Sequence, residues 1–212
     1  MNTDGLSEIA ESVRAHLDAK HKAREQALAL TREVIRLSAN AIRAVHRREF
    51  PRAEELLAKA RGNLEQTADA LAEHQDIFHA GFVHDAQKEF AEAHCTLALI
   101  AGRRLPTPAD LGVMAPSYLN GIGETVGELR RHLLDSLRAG DIQHCEESLM
   151  AMGDIYDVLL TMDYPEAVTS GLRRTADAMR GILERTRGDF TMAYAQRRLE
   201  DRLREFEDRL GK

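Results

Sequence analysis

Apolar residues recur at helical spacing along almost the whole chain, and proline and glycine breakers divide it into segments. From about Leu6 to Val45, the spacing of Leu17, Leu28, Val34, Ile35, Leu37, Ile42 and Val45 predicts one very long first helix, over about 6–48. Pro51 opens a second at a first-turn position that tolerates proline, and Leu56, Leu57 and Leu64 carry it to about Leu71. A third is expected from roughly Asp76 to Arg103, where Leu105-Pro106-Thr107-Pro108 breaks it. Thr107 is placed to cap a short turn at 108–112, inside a loop of about 105–115. Pro116-Ser117 opens a fourth helix that ends at Gly140, and Asp141 caps a fifth to about Met162. After Pro165 a sixth covers 166–187, and Gly188-Asp189 starts a seventh over about 189–210. That last segment spaces Leu199, Leu203, Phe206 and Leu210 one helical turn apart, a stripe suited to packing on another helix of the same subunit or a second one.

Seven helices joined by short connections, with no strand signal, predict an all-α, single-domain bundle over 1–212. Composition agrees: 43% hydrophobic and 30% charged residues are too apolar for disorder, and only 14 glycines and five prolines in 212 residues favour helix. There is no apolar run of membrane-span length and no signal-peptide core, so no membrane partner is expected. Cys95 and Cys145 make no disulfide framework, which points to a reducing, cytoplasmic setting. A net charge of −6, from 35 acids and 29 bases, argues against a surface coated in positive charge for duplex DNA. Residues 14–48 are nevertheless locally basic: Arg14, Lys20, Lys22, Arg24, Arg32, Arg36, Arg43, Arg47 and Arg48 outnumber Asp18, Glu25 and Glu33. That stripe is either a polyanion surface or a solvated helix face.

The chemistry centres on Gln87-Lys88-Glu89-Phe90-Ala91-Glu92-Ala93. On a helix, Glu89 and Glu92 are neighbours on one face, and their like charges repel unless a cation or open water intervenes. With Phe82, Ala86, Phe90, Ala93 and Leu97 as the apolar face, Asp85, Glu89, Glu92 and Thr96 fall on a strip beside it, at the core boundary. The fourth helix sorts differently. Tyr118, Ile122, Val126, Leu129 and Leu133 face one way, while Glu124, Glu128, Arg131 and Asp135 face the other, alongside Gly121. In a lone subunit that polar face is expected to meet solvent. It lines a site only if several subunits enclose it.

Rival chemistries lack their residues. None of the nine histidines follows a Glu at the spacing of a ferritin-like di-iron site, and no Cys-x-x-Cys or His-Glu-x-x-His suggests zinc. Gly121-Ile122-Gly123 has neither the preceding strand nor the following glycine of a nucleotide loop. Carboxylates without histidine or thiolate suit a hard ion, Mg2+ or alternatively Mn2+. His74, His79 and His84 are either phosphate contacts or surface residues. Met150, Met152 and Met162 read as core. His94 and Cys95, adjacent on a helix, point about 100° apart and are poorly placed to share a proton.

Four stretches resemble the translin and translin-associated factor X superfamily, particularly the factor X side and its archaeal relatives. They are Leu17-Asp18-Ala19-Lys20-His21 with the long helix up to His46-Arg47; Gln87 to Ala93; Pro116-Ser117-Tyr118-Leu119-Asn120-Gly121; and Gly127-Glu128-Leu129-Arg130-Arg131 running to Ala139-Gly140-Asp141-Ile142. The resemblance implies a seven-helix bundle that assembles into a closed, octameric homo-oligomer. It also implies a Mg2+-dependent endoribonuclease whose acidic trio maps onto Glu89, Glu92 and Glu124. The family usually has Asp at the third of these positions; Glu124 is one methylene longer. Glu128 is expected in a supporting or proton-handling role, or else simply paired with Arg131. Lys20, Arg24, Arg32, Arg36 and Arg131 are the candidates for positioning the substrate. Single-stranded RNA is the expected partner, with single-stranded DNA an alternative, because an enclosed chamber admits a rigid duplex poorly. Two other readings remain: an oligomer that binds RNA or single-stranded DNA without cutting it, and a helical scaffold with solvated acids.

Overall fold

A helix of small and apolar residues sits at the centre of the structure, a computed structural model that describes residues 3–210. Residues 1, 2, 211 and 212 of the predicted domain lie outside the described residues. Among those described there are nine helices and no strand: α1 Leu6–His46, α2 Phe50–Ala70, α3 Gln75–Phe78, α4 Gly81–Ile100, α5 Pro108–Leu111, α6 Ala115–Ala139, α7 Ile142–Leu160, α8 Glu166–Thr169 and α9 Leu172–Leu210. The central helix is α4. Val83, Ala86, Phe90, Ala91, Ala93, Cys95, Leu97 and Ala98 are all buried, so it is enclosed on nearly every side.

The core forms in three parts. Between α1, α2 and α4, Val34, Leu37, Ala41, Val45, Leu57 and Ala60 pack against Phe90 and Leu97. Between α6, α7 and α9, Val126 and Leu129 meet Met152, Ile155, Met179 and Leu183. A smaller group, Ala27, Leu71, Ile77 and Val83, closes the end where α2 hands over to α4. Each fully buried aliphatic or aromatic side chain contributes about 1.5–3 kcal/mol of transfer free energy, so packing of these faces outweighs helix propensity in holding the fold.

Several helix ends follow the capping chemistry expected of their residues. Thr107 and Asp110 form a reciprocal capping box at α5, and Gly112 ends that turn in the left-handed conformation at φ 67°. Gly140 ends α6 at φ 78°, and the Asp141 carboxylate accepts from the His144 backbone N–H to start α7. Three segments depart from the sequence pattern. The predicted sixth helix, 166–187, is broken at Ser170 and Gly171, both at positive φ, so that α8 ends at Thr169 and α9 begins at Leu172. The predicted third helix is split by a kink at His79 and Ala80 into α3 and α4. The predicted break at Gly188-Asp189 is absent: α9 runs unbroken from Leu172 to Leu210. A helical glycine costs only about 1 kcal/mol relative to alanine, too little to stop a helix flanked by Arg, Glu and Leu. Asp189, read as part of a helix start, instead accepts a hydrogen bond from Arg130 at 2.7 Å and ties α9 to α6.

The contact between α4 and α6 positions the chemistry. Gln87 is buried, and its side-chain oxygen accepts from the Met114 backbone N–H at 3.0 Å, fastening the start of α6 to α4. Two turns on, Gly121 brings the α6 backbone directly onto α4, at the level of Lys88, Ala91 and Glu92. The Thr125 hydroxyl is buried in the same seam, 3.1 Å from the Gly121 carbonyl oxygen and 3.4 Å from that of Glu92. On the opposite side, Asn120 donates to the carbonyls of Thr169 and Ser170 and accepts from the Thr175 hydroxyl at 2.6 Å, which locks α6 to the α8–α9 corner. Tyr118 closes the loop before α5 by donating to the Pro106 carbonyl at 2.7 Å.

Candidate metal centre

The α4–α6 seam gathers three carboxylates. Glu89 and Glu92 come from α4 and Glu124 from α6, and one oxygen of each lies within 4.8 Å of the others. This corrects the expectation that the polar side of the fourth predicted helix faces solvent as far as Gly121, Glu124 and Glu128 are concerned, while Arg131 and Asp135 on the same side are exposed as expected. The helix turns its Gly121 and Thr125 strip onto α4, and Glu124 rides on the edge of that strip within the same subunit. A wheel of one helix ranks side chains by polarity. It cannot show that two small residues make a close helix contact.

The three acids are unequally exposed. Glu92 is buried at 8% relative exposure, whereas Glu89 and Glu124 stand at the rim with side chains 28% and 37% exposed. Burial, reinforced by the neighbouring charges of Glu89, Glu124 and Glu128, pushes the Glu92 carboxyl up to about 8. Burial also raises the Glu89 carboxyl, with Lys88 working the other way.

A lysine and a histidine stand against this charge, and the sequence pattern singled out neither. Lys88 donates to Glu124 Oε1 at 2.7 Å and stands 3.8 Å from Glu89. Desolvation disfavours its charged form, but the Glu124 hydrogen bond and the fields of Glu124, Glu89 and Asp85 outweigh this and raise its pKa. His46, at the last position of α1, has a side chain only 4% exposed, and its Nε2 lies 2.5 Å from Glu128 Oε2. That hydrogen bond holds the Glu128 carboxyl below its usual range despite partial burial. Arg131 lies 3.9 Å from Glu128 on the other side.

The other predicted substrate-positioning residues are spread along α1 rather than gathered at the acids. Lys20 pairs with Asp76, and lies on the order of 40 Å along the helix from His46 at the α-helical rise. Arg24 pairs with Glu25 at 2.7 Å, and Arg36 with Glu33. Arg32 is exposed. Arg36 also lines a groove between α1 and α2 with Arg43, Arg47, Arg52 and Lys59, a basic surface to which none of the three acids contributes.

Carboxylate oxygens on opposite sides of an octahedral Mg2+ lie about 4.2 Å apart, given metal–oxygen distances of about 2.1 Å. Oxygens already within 4.8 Å need only a small contraction to bind such an ion. The donor set, all hard oxygen with no thiolate or imidazole, suits Mg2+ or Mn2+.

No protein-family model matches the chain. An uncharacterised protein of Methanocaldococcus jannaschii is 29% identical over 192 residues, covering 89% of this chain and 84% of that protein. Among solved structures, AfC3PO, an archaeal protein of the translin type, superposes with a TM-score of 0.81 at 34% identity, both alone and in complex with duplex RNA. The match covers 89% of this chain and 97% of the AfC3PO chain in the RNA complex. The structure of apo-NeC3PO shares the fold at 19% identity, with a TM-score of 0.73 over 91% of this chain and 99% of that one. The similarity to AfC3PO runs over nearly the whole length of both chains. The chain belongs to the translin and translin-associated factor X superfamily.

Proposed function

We propose that the protein is a Mg2+-dependent endoribonuclease acting on single-stranded RNA within a closed homo-oligomer, an octamer in the fullest form of the proposal. The observation that carries the reading is the convergence of Glu89, Glu92 and Glu124 from two helices, one of them buried, at a spacing fit for a divalent ion. Nucleic acid as the substrate class is supported by AfC3PO, whose complex holds duplex RNA. A divalent ion in this centre supplies Lewis acidity at a phosphate oxygen and at the attacking water.

The chain's own residues divide the remaining work. Glu89, Glu92 and Glu124 hold the ion. Glu128, kept ionised and oriented by His46, is the acceptor for a proton at the edge of the centre. Arg131, beside Glu128, offers a guanidinium to a backbone phosphate. Lys20, Arg24, Arg32 and Arg36 would engage more distant phosphates along α1. Assembly is supported by two exposed apolar stripes, Leu6, Ile9, Val13 and Leu17 on α1 and Leu199, Leu203, Phe206 and Leu210 on α9. The two cysteines are free and buried, in keeping with a cytoplasmic protein. Among the described residues, no helix is long and apolar enough to cross a membrane.

A second reading, an oligomer that binds RNA without cutting it, is favoured by one observation: Lys88 already holds Oε1 of Glu124, one of the two oxygens that carboxylate offers an ion. One experiment separates the two. Labelled single-stranded RNA and a matched duplex are incubated with the protein and Mg2+, with EDTA and with Glu89→Ala/Glu92→Ala. Cleavage of the single strand that disappears in both controls supports the nuclease. RNA that stays intact but shifts on a native gel leaves the binding oligomer.

A further inference from the structure

On α4, Lys88 stands in the same strip as the acids, with Asp85 a turn before it, Glu92 a turn after it and Glu89 adjacent. Its ammonium crosses the seam to Glu124 at 2.7 Å while standing 3.8 Å from Glu89. One lysine therefore serves two of the three carboxylates, from both helices. Its side chain is 20% exposed, so the amine lies at the rim and Glu92 is the buried floor beneath it.

This position conflicts with a divalent ion. An ion shared by the three converging carboxylates must bind Glu124, the same carboxylate whose Oε1 Lys88 now holds. Two cations a few ångströms apart in a half-buried seam repel strongly, and the lone pairs of one carboxylate oxygen serve both poorly. Lysine is a flexible tether with a compact charge, and this one has a short path from the rim to water.

Building on the metal-site reading above, we propose that Lys88 is a tethered cation that holds the Glu89–Glu92–Glu124 cluster together in the metal-free protein and is exchanged for the divalent ion. The residue thereby sets the affinity of the centre for metal. Removing the ammonium leaves the carboxylates without their internal counter-ion, so the metal-free protein loses stability and metal binds more tightly. Loss of a merely structural lysine also costs stability, but it weakens metal binding instead of strengthening it, because a disturbed seam separates the carboxylates.

The test is a calorimetric Mn2+ titration of wild type, Lys88→Gln, Lys88→Met, Lys88→Arg and Glu92→Gln, with a thermal melt of each protein with and without Mn2+. Lys88→Gln and Lys88→Met are expected to bind Mn2+ on the order of tenfold more tightly and to show a larger Mn2+-induced rise in Tm. Lys88→Arg, which keeps a tethered cation, is expected to stay near wild type. Mn2+ affinity that is unchanged or weaker in both neutral variants overturns the proposal. The melt without metal identifies a variant that fails to fold, and the second neutral substitution then decides. If wild type and Glu92→Gln bind Mn2+ equally, the metal-site reading itself falls. Loss of binding in Glu92→Gln with no gain in the Lys88 variants overturns the exchange alone.

Discussion

Gly121 lies so close to the carbonyl oxygen of Lys88 that a Cβ built on it would come within 2.5 Å of that atom and 2.9 Å of Ala91 Cβ. The opposing groups are backbone and a buried methyl, which have little room to give, so α4 and α6 would have to part. That same approach places Glu124 beside Glu89 and Glu92.

Gly121→Ala is therefore expected to cost about 2–3 kcal/mol, in the range of overpacked cores, and to weaken Mn2+ binding by separating the carboxylates. Gly127→Ala, six residues along α6, adds its methyl to open space. It is expected to stabilise by about 0.5–1 kcal/mol through helix propensity. Urea unfolding of both variants checks the pair. Equal effects would show that close approach is not what Gly121 provides.

The buried floor of the centre predicts an unusual pH response. Glu92 has its folded pKa raised from 4.5 to about 8, so between those values the folded protein binds a proton that the unfolded chain releases. Stability from this group is complete below the unfolded value and is lost as pH rises through about 8. The loss amounts to a few kcal/mol at alkaline pH. Melting curves at pH 6 and pH 8.5 should show wild type falling more steeply with pH than Glu92→Gln. Mn2+ should restore wild type most at the higher pH, where the carboxylate is ionised and ready to ligate.

His46 and Glu128 couple α1 to the centre across 2.5 Å. Either residue alone leaves its partner partly buried without its hydrogen bond, so His46→Ala and Glu128→Gln are each expected to cost about 1–3 kcal/mol. The double variant should cost less than their sum, with a coupling of about 1–2 kcal/mol. A double-mutant cycle in denaturant measures this. Additive costs would mean that the pair does not hold α1 to α6.

The apolar stripe of α9 makes a prediction about size rather than stability. Leu203 and Phe206 are exposed at 53% and 59%, so Leu203→Glu/Phe206→Glu should leave helix content and unfolding of the subunit nearly unchanged. Light scattering coupled to gel filtration should show a smaller particle than wild type. Wild-type mass in the variant would remove this stripe from any interface.

The helical class was legible because period, proline and glycine all agreed, and because Thr107, Gly140 and Asp141 carry capping chemistry that reads locally. Glu89 and Glu92 were legible for the same reason: three residues on one helix fix their relation. Glu124 came only through the resemblance, since a wheel of α6 turned it toward solvent. What was missing was the contact made by Gly121 and Thr125, which depends on a helix far away in sequence. Lys88 and His46 escaped for a related reason. Their partners are Glu124 and Glu128 on another element, and no spacing within a helix announces such pairs. Gly188 misled in the opposite direction, because a glycine alone does not end a helix that strong formers carry through it.

Every group in the centre is carried on regular helix: Lys88, Glu89 and Glu92 in the body of α4, Glu124 and Glu128 in the body of α6, and His46 on the last residue of α1. Among the described residues no loop contributes a side chain to this centre, so its arrangement needs no flap or ordered segment to complete it. The backbone geometry of the centre is set when the chain folds, and only side chains are left to move. Under the proposed function, the conformational work of turnover would then fall to the RNA, which has to be admitted, threaded and unstacked, and to the Lys88 side chain, while the helices stay as they are.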